Sequence, residues 1–380
     1  MANPSRKMAT IREIGSITPI DGADRIECAH VGGWAVVVRK GEFEPGDLAV
    51  YFEIDTFLPI REEPYAFLAE RGVRTMVIDG EEVEGHVLRT AKMRGQYSQG
   101  LLMPYETFGI APYAARKLCD EHIAVDRQCR VCEYYKPMPL GAKDFIGRYD
   151  PYVAPRTDAE RVQNIDQRTW DLLRRTEYEA SVKVDGTSIT MAWDERVSRL
   201  RIFSHNNEFA LDRGMGKLTY DVAERQGLVD FCEKNHMLTV QAELCGPKIQ
   251  GNSLRLPEHR LFVFSVWDMV NRRYIKTIDV FQFDSGGEVL GSHVPILPKE
   301  APFTYTGSWL KKYDTPTEFI ESVDGIRGAV TKDCLDEGVV IHIYGRGDLD
   351  DDEWNELHNV LGDQMQVKAV SNKFLLKAKE

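Results

Sequence analysis

Glu179-Ala180-Ser181-Val182-Lys183-Val184-Asp185-Gly186-Thr187-Ser188-Ile189-Thr190-Met191-Ala192-Trp193 sets one lysine between two runs that alternate as strands do. Val182, Val184, Ile189 and Met191 supply apolar positions on either side of a glycine, with a period of two rather than 3.6. The stretch therefore reads as strand, tight turn, strand, a hairpin with Lys183 at a strand end facing a cleft. A single lysine in such a place is ordinarily a solvated surface residue. Its neighbours argue for chemistry. Asp185, two residues on, falls on the same strand face as Lys183, and Gly186 lets a backbone come close to a ligand. An amine, a carboxylate and a glycine so arranged suit a phosphate ester and its metal.

Outward from this stretch, strands and helices interleave: Leu200 to His205, a helix from Thr219 to His236, Leu238 to Leu244, Leu261 to Asp268, and Gly338 to Tyr344. The pattern predicts an α+β domain of antiparallel sheets with a cleft between them. Its start is signalled at Pro155-Arg-Thr157-Asp158-Ala-Glu160-Arg161, where Thr157 or Asp158 followed by an acidic residue reads as a helix N-cap, so the domain is assigned to residues 151–380. The acidic run from Asp348 to Glu353 reads as a solvated loop entering a helix at Trp354 and is given no chemistry.

Residues 1–150 have another texture. Short alternating runs such as Trp34 to Arg39 and Leu48 to Glu53 are punctuated by Gly41, Pro45-Gly46-Asp47 and Asp79-Gly80, which predicts a small barrel. Near its end, alternation puts Lys92 and Arg94 on one strand face with Tyr97 nearby, suited to a phosphate backbone and a stacked base, or equally to a solvated face. A connector rich in Tyr and Pro, Glu133 to Pro139, follows.

Length and composition limit the function classes. A chain of 380 residues holds two or three domains with sizeable cores. A net charge of -12 argues against a molecule coated in basic surface but allows a local groove of Lys and Arg to hold nucleic acid. No apolar run of membrane-spanning length and no signal-peptide pattern is present, so the expectation is a soluble, intracellular protein that does not engage membranes. Seven cysteines scattered along the chain do not suggest a disulfide framework. Cys119, His122, Cys129 and Cys132 have metal-ligand spacings, but the loop between the pairs is short and the segment reads as a helical connector of ordinary thiols.

The spacing Lys183-x-Asp185-Gly186-x-Ser188 resembles motif I of the covalent nucleotidyltransferases, the ATP-dependent DNA and RNA ligases and the RNA capping enzymes. Four more segments follow in that superfamily's order. Glu243-Leu-Cys-Gly246 looks like motif III, Leu261-Phe-Val-Phe264 like motif IIIa, Glu337-Gly338-Val-Val-Ile like motif IV, and Lys368-Ala-Val-Ser-Asn-Lys373-Phe374 like motif V. The resemblance implies an α+β fold: an N-terminal OB-like β-barrel, then an antiparallel-sheet nucleotidyltransferase core, the ATP-grasp-like ligase type. It implies Lys183 as nucleophile, and ATP contacts at Arg161, Gln163, Val182, Asp185, Gly186, Glu243, Phe264, Glu337 and Lys368. Phe264 would stack on adenine, and Lys368 would meet the α-phosphate. Asp185, Glu243 and Glu337 would hold Mg2+ or Mn2+ through water, oxygen ligands being what such ions prefer. Ser188, His205 and Lys373, with Lys92 and Arg94, would meet nucleic acid.

DNA ligases and capping enzymes place an OB module after motif V, whereas here the sequence ends six residues beyond Phe374 and the barrel comes first. That order, with Thr-Asp-x-Glu-Arg-Val-Gln-Asn at the core's entry, is similar to the Deinococcus-type ATP-dependent RNA ligases. The resemblance implies a monomer that seals 3'-OH/5'-phosphate ends or nicks in RNA-containing duplexes through a lysyl-AMP and an adenylylated 5' end. Two departures stand out. Relatives carry Lys-x-Lys in motif V where this chain has Lys368-Ala-Val370, and usually Arg where it has His205. The alternatives are a non-catalytic RNA-binding protein with a degenerate ligase core, and a capping-type guanylyltransferase.

Overall fold

The computed structural model describes residues 6–78, 80–134, 144–157, 159–276, 296–297 and 309–377. The described residues fall into two compact units, within Met1–Leu140 and Gly141–Lys377. Among the described residues no helix is long and apolar enough to cross a membrane.

The first unit is built from short antiparallel strands. Ala9–Glu13, Leu48–Phe52 and Leu101–Pro104 form one sheet, and Ser16–Pro19, Ile26–Val31 and Trp34–Arg39 form another. Trp34, Val36 and Val38 are buried while the residues between them are not, which is the period of two that the sequence carries. A core of Met8, Ile11, Val50, Phe52, Leu58 and Tyr65 lies under the helix Pro112–Asp120. Lys92 and Arg94 do not share a strand face. Ala91–Met93 and Gln96–Ser98 pair as a hairpin in which Lys92 opposes Tyr97, its Nζ 5.0 Å from the ring centre. Arg94 and Gly95 form the left-handed two-residue turn, with φ of 47° and 85°. Asp79, and the connector from residue 135 on, lie outside the described residues.

The second unit holds two sheets. Thr187–Asp194, Leu238–Cys245 and Arg260–Asp268 are neighbours in a seven-stranded antiparallel sheet. Glu177–Lys183, Gly338–Gly345 and Gln366–Val370 are the middle of a five-stranded one, whose short edge strand Glu160–Arg161 runs parallel to Gln366–Val370. The hairpin expected around Lys183 does not form. Lys183 ends a strand of the second sheet, paired with Gly338, and Thr187 begins a strand of the first, paired with Leu244. Residues 184–186 therefore link two sheets, and Asp185 lies on this link rather than on a strand face. Gly186 makes the crossing possible: a Cβ there would stand 2.4 Å from the Leu244 carbonyl oxygen.

Each sheet buries an apolar back. Ile189, Met191, Val240 and Val263 pack with Val222, Leu228 and Phe231 of the helices Gly214–Arg225 and Leu228–Lys234. Tyr178, Ile341 and Val367 pack with Trp170, Phe319 and Leu357 of three further helices, Gln167–Leu173, Pro316–Val323 and Asp351–Leu361. The opposite faces are rich in polar side chains.

Three local expectations change. The helix predicted over 219–236 is two helices, parted by Gly227 in the left-handed region with φ of 72°. The domain's entry is not a helix N-cap at residue 157. A short strand comes first, and the helix Gln167–Leu173 is capped by Asp166, whose carboxylate accepts from the Thr169 N–H at 2.7 Å. Asp158 lies outside the described residues. The acidic run ends in a capping box: Asp350 accepts from the Glu353 N–H, so the helix begins at Asp351, ahead of Trp354. Nor is the run merely solvated, because Asp348 and Glu353 accept from Arg175 at 2.8 and 2.7 Å.

Gly338 is the tightest point of the second sheet, since a Cβ there would lie 2.1 Å from the Ala369 carbonyl oxygen. Gly338→Ala should destabilise the second unit by about 1–3 kcal/mol, as overpacking does elsewhere, and a thermal melt of the variant beside the parent measures it.

Candidate active site

Strand register brings the first pair of site residues together. Lys183 sits opposite Gly338, so Glu337 stands beside the lysine at the mouth of the adjoining strand. Lys183 Nζ donates a hydrogen bond to Glu337 Oε2 at 2.7 Å, and the Ser371 N–H holds the Glu337 carbonyl at 2.8 Å. From the other sheet, Glu243 lies opposite Ser188, and its carboxylate accepts from the Gly186 N–H. The Cys245 thiol is 3.4 Å from the Asp185 carbonyl, which it meets as a donor. One lysine and three carboxylates thus meet where the two sheets join.

Their charges act on each other. Burial works to lower the Lys183 pKa, but Glu337, Glu243 and Asp185 outweigh it, and the net direction is up. Burial pushes the Glu243 carboxyl up to about 8 against the pull of Lys183, with Glu337 and Asp185 adding to the rise. Asp185 is also raised, by burial and then by Glu337. The amine is held protonated in a field with more negative charge than it can offset. Such a field attracts a cation.

A cavity of about 210 Å3 opens from this cluster. Of the residues predicted to form the site, Val182, Lys183, Ser188, His205, Glu243, Phe264 and Lys368 line it. Phe264 is partly buried against Val182, Val184 and Phe262, an aromatic wall fixed by packing. Arg161 and Gln163 stand next to the lining, Arg161 being opposite Lys368 in the parallel register. Both are buried, at 7% and 2% exposure, and among the described residues neither amide atom of Gln163 has a partner. A buried amide left open in this way suits a ligand or water. Lys373 is not part of the cavity wall: it sits on the helix Asn372–Lys377, 3.6 Å from Asp324.

Sequence reasoning missed Thr157, Ser181, His342 and Gln366, which also line the cavity. Thr157 and Ser188 share a hydrogen bond of 3.2 Å, Ser181 Oγ lies 3.4 Å from His342 Nε2, and Gln366 donates to Ser265 at 3.4 Å. One signal for Ser181 was available, since a period of two counted back from Lys183 puts it on the cleft face.

Comparison with known proteins shows what the chain resembles. Residues 8–105 match a family model described as an OB-fold domain, and residues 176–350 match one described as RNA ligase. Solved structures of Naegleria gruberi RNA ligase resemble nearly the whole chain. A variant without ligand is 29% identical, covers 98% of both chains and has a TM-score of 0.76. A variant with ATP and Mn is 28% identical, covering 98% of this chain and 99% of that one at 0.76. Another, with AMP and Mn, is 29% identical with the same coverage at 0.77. No curated protein matches the chain. The α+β class and its order stand: an N-terminal OB-fold domain, then a sheet-rich ligase core.

The raised Glu243 carboxyl has a consequence for stability. The folded protein holds that proton up to about 8 whereas an unfolded chain releases it in the usual carboxylate range, so between those limits this group makes stability fall as pH rises. In ligand-free protein, Glu243→Gln should reduce the decline in melting temperature from pH 5 to 8. An unchanged slope in the variant would mean that Glu243 is ionised in the folded state throughout.

Proposed function

We propose that this chain, an RNA ligase with an N-terminal OB-fold domain, joins RNA 3'-OH and 5'-phosphate ends with ATP and a divalent cation, through a lysyl-AMP at Lys183. The observation that carries this reading is the Lys183–Glu337 contact amid Glu243 and Asp185, at one end of a cavity walled by Phe264 and Lys368. The relative's structures with ATP and Mn, and with AMP and Mn, support the choice of nucleotide and cation.

Adenine stacks on Phe264, and Lys368 faces the α-phosphate. The neutral Lys183 amine attacks the α-phosphorus, a P–N bond forms as the bond to the β-phosphate oxygen breaks, pyrophosphate leaves and the lysine gives up a proton. An RNA 5'-phosphate oxygen then attacks the same phosphorus, the P–N bond breaks and Lys183 takes a proton back. Last, the 3'-OH attacks the activated 5'-phosphate and AMP departs, leaving a phosphodiester. Lysine in the resting site is protonated, so its counter-charges must be drawn off before the first step. Asp185, Glu243 and Glu337 would hold a divalent cation, which would neutralise those carboxylates and stabilise charge on the phosphoryl oxygens. Among the described residues no three such ligands converge closely enough to bind an ion directly, so they would hold it through water.

In this reading residues 1–150 are the OB module with its connector and 151–380 the nucleotidyltransferase domain, acting as a monomer on a nicked duplex. Ser188 and His205, which line the cavity beside Thr157, face the RNA end in this reading.

The test is labelling with α-labelled ATP and Mg2+ or Mn2+. The parent should take label on Lys183, and Lys183→Ala and Lys183→Arg should take none, because arginine does not deprotonate in a usable range. Glu337→Ala and Lys368→Ala should lower labelling by about 100-fold or more while remaining folded. A folded, AMP-free parent that takes no label would sink the proposal, and label from GTP alone would make the chain a guanylyltransferase.

A further inference from the structure

The chain from Gly246 to Leu256 leaves the strand that bears Glu243 and gathers left-handed backbone as no other described segment does. Lys248, Gln250, Asn252 and Arg255 have φ of 65°, 42°, 51° and 52°. For L residues other than glycine each such position costs free energy, because Cβ crowds the following carbonyl. The segment is nevertheless fixed. Ile249 and Leu254 are 5% and 2% exposed, and a His259 ring nitrogen lies 2.8 Å from the Pro247 carbonyl. Asn252 offsets its own strain, donating to the Leu256 carbonyl and accepting from its N–H, both at 2.9 Å.

Lys248, Gln250 and Arg255 have no such return. All three are exposed, and their side chains make no hydrogen bond or ion pair with any described residue. Glycine would hold each of these conformations at lower cost. The segment flanks the nucleophile: Leu254 packs against Val182 and Val184, on either side of Lys183. Yet none of the three lines the nucleotide cavity. Two cations and an amide, held rigid and aimed at solvent beside the site but outside the nucleotide's space, suit phosphates of a polymer rather than of ATP.

We propose that Lys248, Gln250 and Arg255 grip the phosphate backbone of the RNA strand being joined. The proposal rests on the ligase reading above. The full-length protein is compared with a variant carrying Lys248→Gly, Gln250→Gly and Arg255→Gly, and with Lys248→Asn/Arg255→Asn, which removes the charges but keeps a residue tolerant of left-handed backbone. The probe is a nicked duplex with an RNA 3'-OH strand and a preformed 5'-AMP.

The glycine variant should melt at the parent's temperature or above and take label from ATP at the parent's rate. It should bind the nicked duplex about tenfold or more weakly, with the slope of log K against log salt shallower by roughly 1–2. The asparagine variant should show most of the same loss. Unchanged RNA affinity and salt slope would overturn the proposal. So would a lower melting temperature in both variants, which would make the side chains structural, or a parallel loss of labelling, which would assign them to the nucleotide. A parent that never labels, but whose RNA binding still falls in these variants, would remove the ligase reading and leave the contact standing.

Discussion

The contact on which the rest of this protein depends is the hydrogen-bonded ion pair between Lys183 and Glu337. A lysine placed alone where the two sheets meet would shed its proton or be expelled, since burial disfavours the charged form. Here Glu337 lies 2.7 Å away and Glu243 and Asp185 add to the field, so the charged amine is retained. Such a cluster is not a source of stability in itself, because desolvation offsets much of the attraction. Its effect is on reactivity. In the reaction proposed above, the amine is withheld from attack until its carboxylates are engaged by a cation.

Backbone geometry holds that contact in place more than side-chain packing does. Lys183 closes a strand of one sheet and Thr187 opens a strand of the other, with three residues between. Two glycines let neighbouring chains pass within reach: Gly186 beneath the Leu244 carbonyl and Gly338 beneath that of Ala369. The apolar backs of the sheets are each sealed by helices, which leaves the polar faces to meet across the cleft. Ser181, His342 and Gln366 from one sheet and Ser188 and Glu243 from the other line the cavity for that reason.

Much of this was legible in the sequence, and the failures have a common cause. Strands such as Trp34–Arg39 and Leu238–Cys245 declared themselves through a period of two, and several residues that now line one cavity stood in short motifs in a fixed order. What adjacent residues cannot disclose is pairing between distant ones. Two strands separated by a glycine ordinarily pair with each other, but Lys183 found its partner in Gly338 and Thr187 in Leu244. His342 and Gln366 went unnamed because their place opposite Glu179 and beside Ser265 follows from long-range register. Smaller errors came from single backbone angles: Gly227 broke a periodic helix, and Arg94 entered a left-handed turn instead of continuing its strand.

Charge shows the same difference between count and arrangement. A formal net charge of -12 suggests little affinity for a polyanion, yet many of the basic residues are occupied within the fold. Arg175 is bound to Asp348 and Glu353, Arg201 to Asp150 and Glu208, Arg168 to Glu356, and Lys217 to Asp221. The exposed pairs contribute modestly to stability, but every pair, including the largely buried Arg201–Glu208, removes a cation and an anion together from the field a distant ligand meets. What such a ligand senses is the remainder: carboxylates gathered around one lysine inside the cleft, and cations held on rigid backbone at its margin. In the two proposals made above, the first arrangement takes a metal and the second takes phosphate. The proposed reaction, which would bring ATP, a divalent ion and a nucleic-acid end to one amine, needs both fields, kept a few residues apart.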